Sequence, residues 1–136
     1  EYLANSRRVV AALGRWSAHK LRSHGAKVDD PEGGFYLFPD FSNYTDAFKA
    51  RGISNSITLC DRALQETGVA FLPGSNFGRD PSELVARLAY VNFDGEQALA
   101  LAQTVPAGQE LDVRFLEQAC PDTMEAIRLL GAWLES

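Results

Sequence analysis

The stretch LQETGVAFLPGSNFG, residues 64–78, carries the clearest boundaries between structural elements in this sequence. Gly68 ends the helical pattern before it, because glycine readily adopts the left-handed conformation of helix C-termini. Residues 69–72 are all apolar, which is typical of a buried strand. Pro73 then breaks this strand, and a loop leads to a last strand predicted at Ala86–Phe93. A helix, a strand and a loop in this order predict a layered α/β structure.

Further strands and helices are predicted on either side of this stretch. Residues 1–23 have apolar positions at helical spacing, and Gly25 supplies a stop. Two short strands, 26–29 and 34–38, flank a turn, and Ser54 is the predicted N-cap of a later helix. The helices beyond the first are predicted at 44–51, 55–67, about 95–104, 110–119 and 122–134. The predicted fold class is α/β, an α+β layer of about four short strands, mixed or mostly antiparallel, packed by helices.

The first helix is amphipathic. Its apolar side must pack on a sheet or another helix, and its other side is basic. Contiguous exposed apolar surface marks interfaces, so we expect the apolar side to be covered by a further domain and exposed in this chain alone. The apolar side is formed by Val9, Val10, Leu13 and Trp16, and the basic side by Arg8, Arg15, His19 and Arg22.

Charge and composition exclude several partners. The chain has 13 Lys and Arg against 18 Asp and Glu, a net charge of −5, which repels nucleic acid. Residues 1–28 are basic, which we interpret as a solvated face, with ligand steering as the alternative. No apolar run reaches the roughly 18–20 residues of a membrane span, so no membrane partner is expected. Cys60 and Cys120 are predicted to be reduced, half-buried thiols, as in a cytoplasmic protein.

No catalytic motif is recognisable in the sequence. Walker, GxGxxG, HExxH and GxSxG patterns are absent. His19 and His24 are five positions apart and do not share a helix face, so they do not form a metal site. Neither Ser75 nor Cys60 has a histidine base nearby in the sequence. We therefore predict no catalytic, cofactor-binding or metal-binding residue in this chain.

Arg87 is the candidate binding residue. It lies in the otherwise apolar run 86–91, where burying an unpaired guanidinium group is costly. A ligand carboxylate is a natural partner, because the planar guanidinium binds it through two parallel hydrogen bonds. The alternative is a structural ion pair with Asp94 or Glu83.

Three blocks, GGFYLF at 33–38, Leu64–Gly78 and RLAYV at 87–91, resemble in order and spacing the C-terminal small domain of the class I/II aminotransferases. These are pyridoxal-phosphate enzymes of fold type I. The resemblance covers about residues 1–105. It implies that Arg87 binds the α-carboxylate of an amino-acid substrate and that Phe35 or, less favoured, Tyr36 places an aromatic ring near the substrate.

The family's cofactor lysine lies in a Ser-x-Ser-Lys segment upstream, and Lys20, Lys27 and Lys49 have no such context. The resemblance therefore implies that residues 1–136 are one domain, inactive and without pyridoxal phosphate when alone. Its parent would be a homodimeric aminotransferase, with a large cofactor-binding domain, that acts on amino acids and 2-oxo acids. A chain that begins within a helix at Glu1 favours this interpretation.

Two other classes of function are compatible with the residues: a stand-alone module that binds an anion or another small molecule, and a purely structural domain. Lyases and decarboxylases on the same fold also hold an α-carboxylate, so the resemblance does not separate them from a transaminase.

Overall fold

The computed structural model describes residues 2–30, 36–89, 95–106 and 108–135. In this part of the chain, helices pack around one small sheet. The helices are α1 (Tyr2–Ser23), α2 (Thr45–Ala50), α3 (Ser56–Thr67), α4 (Gly95–Ala102), α5 (Val113–Ala119) and α6 (Pro121–Leu134). The strands are β1 (Tyr36–Leu37), β2 (Leu72–Pro73) and β3 (Ala86–Ala89).

The sheet is antiparallel, with β3 between β1 and β2. Leu37 pairs with Leu88 across one side of β3, and Leu72 pairs with Arg87 across the other. Pro73 lies in the edge strand β2, where the missing N–H costs the least. The predicted layer of few, short, mostly antiparallel strands packed by helices is confirmed.

The segment predicted as a strand at 26–29 forms only a single bridge to the sheet region. Lys27 exchanges two backbone hydrogen bonds with Asp40, at 3.0 and 2.8 Å. Beyond this bridge, the side chain of Arg22 donates to the Val28 carbonyl at 2.7 Å and ties the segment to α1. The first strand of the sequence is thus reduced to one bridge.

The predicted strand at 69–72 begins later than expected, at Leu72. The backbone N–H of Val69 donates to the hydroxyl of Thr67 at 3.1 Å, a local contact that competes with strand pairing. Residues 34–35 and 90–93, which are also predicted to lie in strands, are outside the described part of the chain.

Helix ends follow local chemistry. Gly68 closes α3 with a φ of +79°, and its N–H donates to the Leu64 carbonyl at 3.0 Å. The N-cap of α3 is Asn55, which accepts from the Thr58 N–H at 2.8 Å, so the assignment to Ser54 was wrong by one residue. Pro121 is the first residue of α6, where its missing N–H has no intrahelical partner to lose.

The expectation that the apolar side of α1 is exposed was wrong. Val9 and Leu13 are buried, and Val10 and Trp16 pack against the core half-buried. Other helices of this chain cover the apolar side, because α1 packs against α4, α5 and α6. Across the described residues, none of the helices has the length and apolar character to cross a membrane.

Candidate functional site

Arg87 lies in the central strand of the sheet, on the surface that faces away from the core. Its neighbours Ala86 and Leu88 are buried, whereas Arg87 is half-buried, as the two-residue alternation of a strand requires. The structure thus places Arg87 on the opposite side of its strand from the buried Leu88.

The guanidinium of Arg87 rests on an aromatic ring. Its central carbon lies 4.3 Å from the centroid of the Tyr36 ring, which is within cation–π range. Tyr36 is 41% exposed, whereas the next residue, Leu37, is buried, so Tyr36 shares the outer surface of the sheet with Arg87. One cation is therefore held on an exposed ring at the centre of this surface.

The ion pair considered for Arg87 is not formed with Glu83. Glu83 accepts instead from Nε of Arg79 at 2.9 Å. Asp94 lies outside the described residues, and within them Arg87 pairs with no carboxylate. The hydrogen-bond donors of Arg87 are thus uncommitted in the described part of the chain.

The aromatic residue favoured by the sequence, Phe35, also lies outside the described residues. The structure instead brings Tyr36, the less favoured residue, to Arg87. The signal that could have found it is the strand alternation in Tyr36-Leu37, with a polar-tipped ring followed by an aliphatic side chain.

Two more rings extend the exposed surface. Phe38 is 54% and Phe77 36% exposed, and their ring centroids lie 5.8 Å apart in an edge-to-face arrangement. Both line an open cleft of about 460 Å³ together with charged side chains from neighbouring segments. The charged residues of the cleft are Lys27, Asp29, Asp40 and Arg79.

The Pro-Gly segment before Phe77 is shaped by a close backbone approach. The N–H of Gly74 donates to the Val85 carbonyl at 2.8 Å, and a Cβ at Gly74 would lie 2.8 Å from that same oxygen. Only glycine fits this approach without a shift of the backbone. Gly74 thus fixes the loop that carries Phe77 against the strand that carries Arg87.

The described residues do not fit pyridoxal phosphate. Lys27 and Lys49 are exposed and Lys20 is half-buried on α1, so none is enclosed in a cofactor pocket. Lys27 lines the cleft beside Phe38 and Phe77, where Arg79 and two carboxylates, Asp29 and Asp40, accompany it, so the cleft offers a phosphate group no net positive charge. No step of a cofactor reaction is therefore assigned to these residues.

The two cysteines and His24 have structural surroundings. Cys60 and Cys120 are buried, so the expectation that they are half-buried was wrong, and burial raises the pKa of their thiols to about 12 and about 11. A thiol that stays protonated near neutral pH is a poor nucleophile. His24 packs against Gly131 and faces Glu135, with 2.9 Å from Nδ1 to a carboxylate oxygen. No cluster that could hold a metal ion occurs among the described side chains.

Arg8, expected on a solvated face, is instead a structural residue. Its guanidinium donates to the carbonyls of Ala102 at 3.2 Å and Pro106 at 3.0 Å, near the C-terminal end of α4. It also donates to the carbonyls of Val105 and Gln109 and to the side chain of Asn5. A cation that satisfies carbonyl groups at a helix end stabilises that end, so Arg8 is tied to the fold.

No family model matches the chain, but individual proteins do. The chain is 45% identical over 58 residues to an aspartate aminotransferase of Pinus pinaster, which covers 41% of this chain and 12% of that protein. It is 34% identical over 88 residues to an aspartate/prephenate aminotransferase of Cereibacter sphaeroides, which covers 62% of this chain and 21% of that protein.

Solved structures of aminotransferases share the fold over most of the chain. An aromatic aminotransferase from Pyrococcus horikoshii matches with a TM-score of 0.55 and 21% identity, over 98% of this chain and 25% of that one. An aminotransferase from Mycobacterium tuberculosis matches with a TM-score of 0.55 and 26% identity, over 93% of this chain and 24% of that one.

The fold and these matches define the class: the chain is related to part of the pyridoxal-phosphate-dependent aminotransferases. More narrowly, it is homologous to a fragment-sized region of the fold type I aspartate aminotransferases, and it shares its fold with the aromatic aminotransferase. It spans only 12–21% of the length of the two relatives compared above.

Proposed function

We propose that this chain is the substrate-binding C-terminal small domain of a pyridoxal-phosphate-dependent aminotransferase. In this proposal residues 1–136 form one domain, and a large domain elsewhere in the parent protein holds the cofactor. The parent is a cytoplasmic homodimer that transfers an amino group between an amino acid and a 2-oxo acid. The observation that carries the proposal is the guanidinium of the half-buried Arg87, which rests on the exposed ring of Tyr36 and has no carboxylate partner among the described residues.

The role proposed for Arg87 is to bind the α-carboxylate of the substrate. Two parallel charge-assisted hydrogen bonds would fix both the position and the rotation of that carboxylate. A substrate held in this way presents the bonds at its α-carbon in one orientation, which is the positioning that a reaction at that carbon requires. The reaction itself belongs to the large domain, since the lysines of this chain do not fit the cofactor.

Steady-state kinetics of the intact parent protein test this proposal. The wild type should transfer amino groups from an amino acid to a 2-oxo acid. Each charge-assisted hydrogen bond contributes about 1.5–3 kcal/mol, so Arg87→Ala should lower kcat/KM at least about a hundredfold. Arg87→Lys should also lose most activity, because an ammonium group keeps the charge but lacks the planar fork.

The absorption spectrum of the bound cofactor serves as the control and should be unchanged in both variants. A wild type without transaminase activity would contradict the proposed reaction. A normal spectrum with less than about tenfold loss of kcat/KM in Arg87→Ala would instead contradict the role of Arg87 and favour a structural domain.

A further inference from the structure

We propose that Tyr36 is a positioning residue for Arg87: its ring supports the guanidinium so that the N–H groups at the guanidinium edge remain available to a carboxylate. The inference rests on the proposed function for the identity of the ligand. It concerns the aromatic ring of Tyr36 and assigns no part to its hydroxyl group.

The sheet register explains why these two side chains meet. Tyr36 lies directly opposite Ala89 in the β1–β3 pair, and Arg87 is two residues before Ala89 on the same strand. Side chains two residues apart on a strand share one surface of the sheet, and diagonal cross-strand neighbours are within reach of rings and long side chains. The separation of 4.3 Å between the guanidinium carbon and the Tyr36 ring is this diagonal contact.

A ring beneath a guanidinium leaves its binding capacity intact. In a cation–π contact the ring attracts the positive charge through its π electrons, and the five N–H donors of Arg87 make no hydrogen bond to a carboxylate within the described residues. A carboxylate approaching along the edge therefore meets donors that the ring has not consumed. On the opposite side of β3, Leu72 pairs with Arg87 and supplies only aliphatic surface.

The contact also restrains a flexible side chain before the ligand arrives. An arginine side chain in solution samples many rotamers, and binding a ligand through two parallel hydrogen bonds requires one of them. The cation–π contact with Tyr36 holds the guanidinium in place in the free protein and so reduces the ordering that binding demands. Loss of the ring should thus weaken substrate binding while the chemical step is retained.

The test compares Tyr36→Phe, which keeps the ring, with Tyr36→Leu, which removes it, in the intact parent protein. The amino acid is the donor found most active with the wild type. Tyr36→Leu should raise KM about three- to fivefold, the range expected for losing an exposed cation–π contact, with kcat nearly unchanged. Tyr36→Phe should behave as the wild type.

The same substitution in an Arg87→Ala background shows whether the effect passes through Arg87. There Tyr36→Leu should change KM no further, because no guanidinium remains to be positioned. An equal rise in KM in both backgrounds would overturn the inference, as would a wild-type KM in Tyr36→Leu. Failure of Arg87→Ala itself to impair turnover would instead contradict the proposed function, so the two failures are distinguishable.

Nuclear magnetic resonance supplies a readout that does not depend on activity. In the 136-residue chain, the Nε–H signal of Arg87 should carry a ring-current shift that persists in Tyr36→Phe and disappears in Tyr36→Leu. Should Tyr36→Leu fail to fold, Tyr36→Ile replaces it, because strands accommodate β-branched residues. An Arg87 signal at the same position in wild type and ring-less variant would contradict the contact.

Discussion

The indole Nε1 of Trp133 donates a hydrogen bond to a carboxylate oxygen of Glu66 at 2.8 Å and so joins α6 to α3. The other carboxylate oxygen accepts from Nε of Arg62 at 2.6 Å. The hydrogen bond from Trp133, followed by that from Arg62, lowers the pKa of the Glu66 carboxyl group. The guanidinium carbon of Arg51 lies 4.5 Å from the centroid of the Trp133 ring, so Trp133 also makes a cation–π contact with Arg51.

This lowered pKa predicts a pH dependence of stability. A carboxyl group with a lower pKa in the folded than in the unfolded state stabilises the fold above its unfolded pKa of about 4.3. That contribution is lost as the pH falls through the folded pKa. Trp133→Phe keeps a ring but removes the donor, so the free energy of unfolding should depend less on pH below about 4.3. Urea unfolding at several acidic pH values measures it.

Asp80 provides the internal control for this pH dependence. Hydrogen bonds from the backbone and the hydroxyl of Ser82 lower the pKa of its carboxyl group, and Trp133 takes no part in them. This second contribution should therefore persist in Trp133→Phe. A pH profile of Trp133→Phe identical to that of the wild type would show that the indole hydrogen bond does not hold the Glu66 pKa down.

Arg8→Ala should destabilise the chain by about 2 kcal/mol, since several hydrogen bonds from a charged donor to carbonyl groups near the end of α4 are lost from a half-buried position. Its neighbour Arg7 is exposed, and Arg7→Ala should change stability by less than about 0.5 kcal/mol. Thermal and urea unfolding of the two variants give the comparison. Equal effects of the two substitutions on stability would contradict the structural role assigned to Arg8.

Gly131 and His24 should be energetically coupled. A Cβ at Gly131 would lie 2.4 Å from two atoms of the His24 ring, so Gly131→Ala must displace this ring from Glu135. Alanine also raises helix propensity by about 1 kcal/mol over glycine. In a His24→Ala background the obstacle is absent, and Gly131→Ala should then stabilise by about that amount.

A double-mutant cycle measures this coupling from the free energies of unfolding. In the wild-type background the gain from alanine should be cancelled by the displaced ring. Gly108→Ala is a control for a glycine outside such a contact and outside a helix, because Gly108 lies in a turn and a Cβ there meets nothing within 4 Å. Equal effects of Gly131→Ala in both backgrounds would show that the His24 ring can be displaced without loss of stability.

The chain alone should form no stable one-to-one adduct with pyridoxal phosphate. Lys27 and Lys49 are exposed and Lys20 is half-buried on α1, so any reaction is slow surface labelling distributed over several amines. Dialysis, borohydride reduction and peptide mass spectrometry measure the site and the stoichiometry. One lysine modified to completion would contradict the assignment of the cofactor to a separate domain.

Local chemistry made several elements predictable from the sequence. The ends of α1 and α3 were predictable because Gly25 and Gly68 adopt positive φ values that other residues avoid. The N-cap of α3 was displaced by one residue because Ser54 and Asn55 are both good capping residues, and only the hydrogen bond to Thr58 distinguishes them.

Contacts between distant segments were not predictable in this way. The periodicity of α1 shows which side is apolar, but not that α4 and α6, about a hundred residues later, cover it. Arg8 was assigned to solvent because its acceptors are backbone carbonyls, which carry no signature in the sequence. At the candidate site, Arg87 stood out as a cation in an apolar strand, whereas its contact with Tyr36 depends on the strand register.

The most direct measurement of the central claim is the affinity of the intact parent protein for a 2-oxo acid and for the primary amide of that acid. The two ligands have nearly the same shape, but only the acid carries the carboxylate that Arg87 is proposed to bind. Arg87→Ala should weaken binding of the acid by at least about a hundredfold and leave that of the amide within about threefold of the wild type. Equal losses for both ligands, or no loss for the acid, would contradict the account.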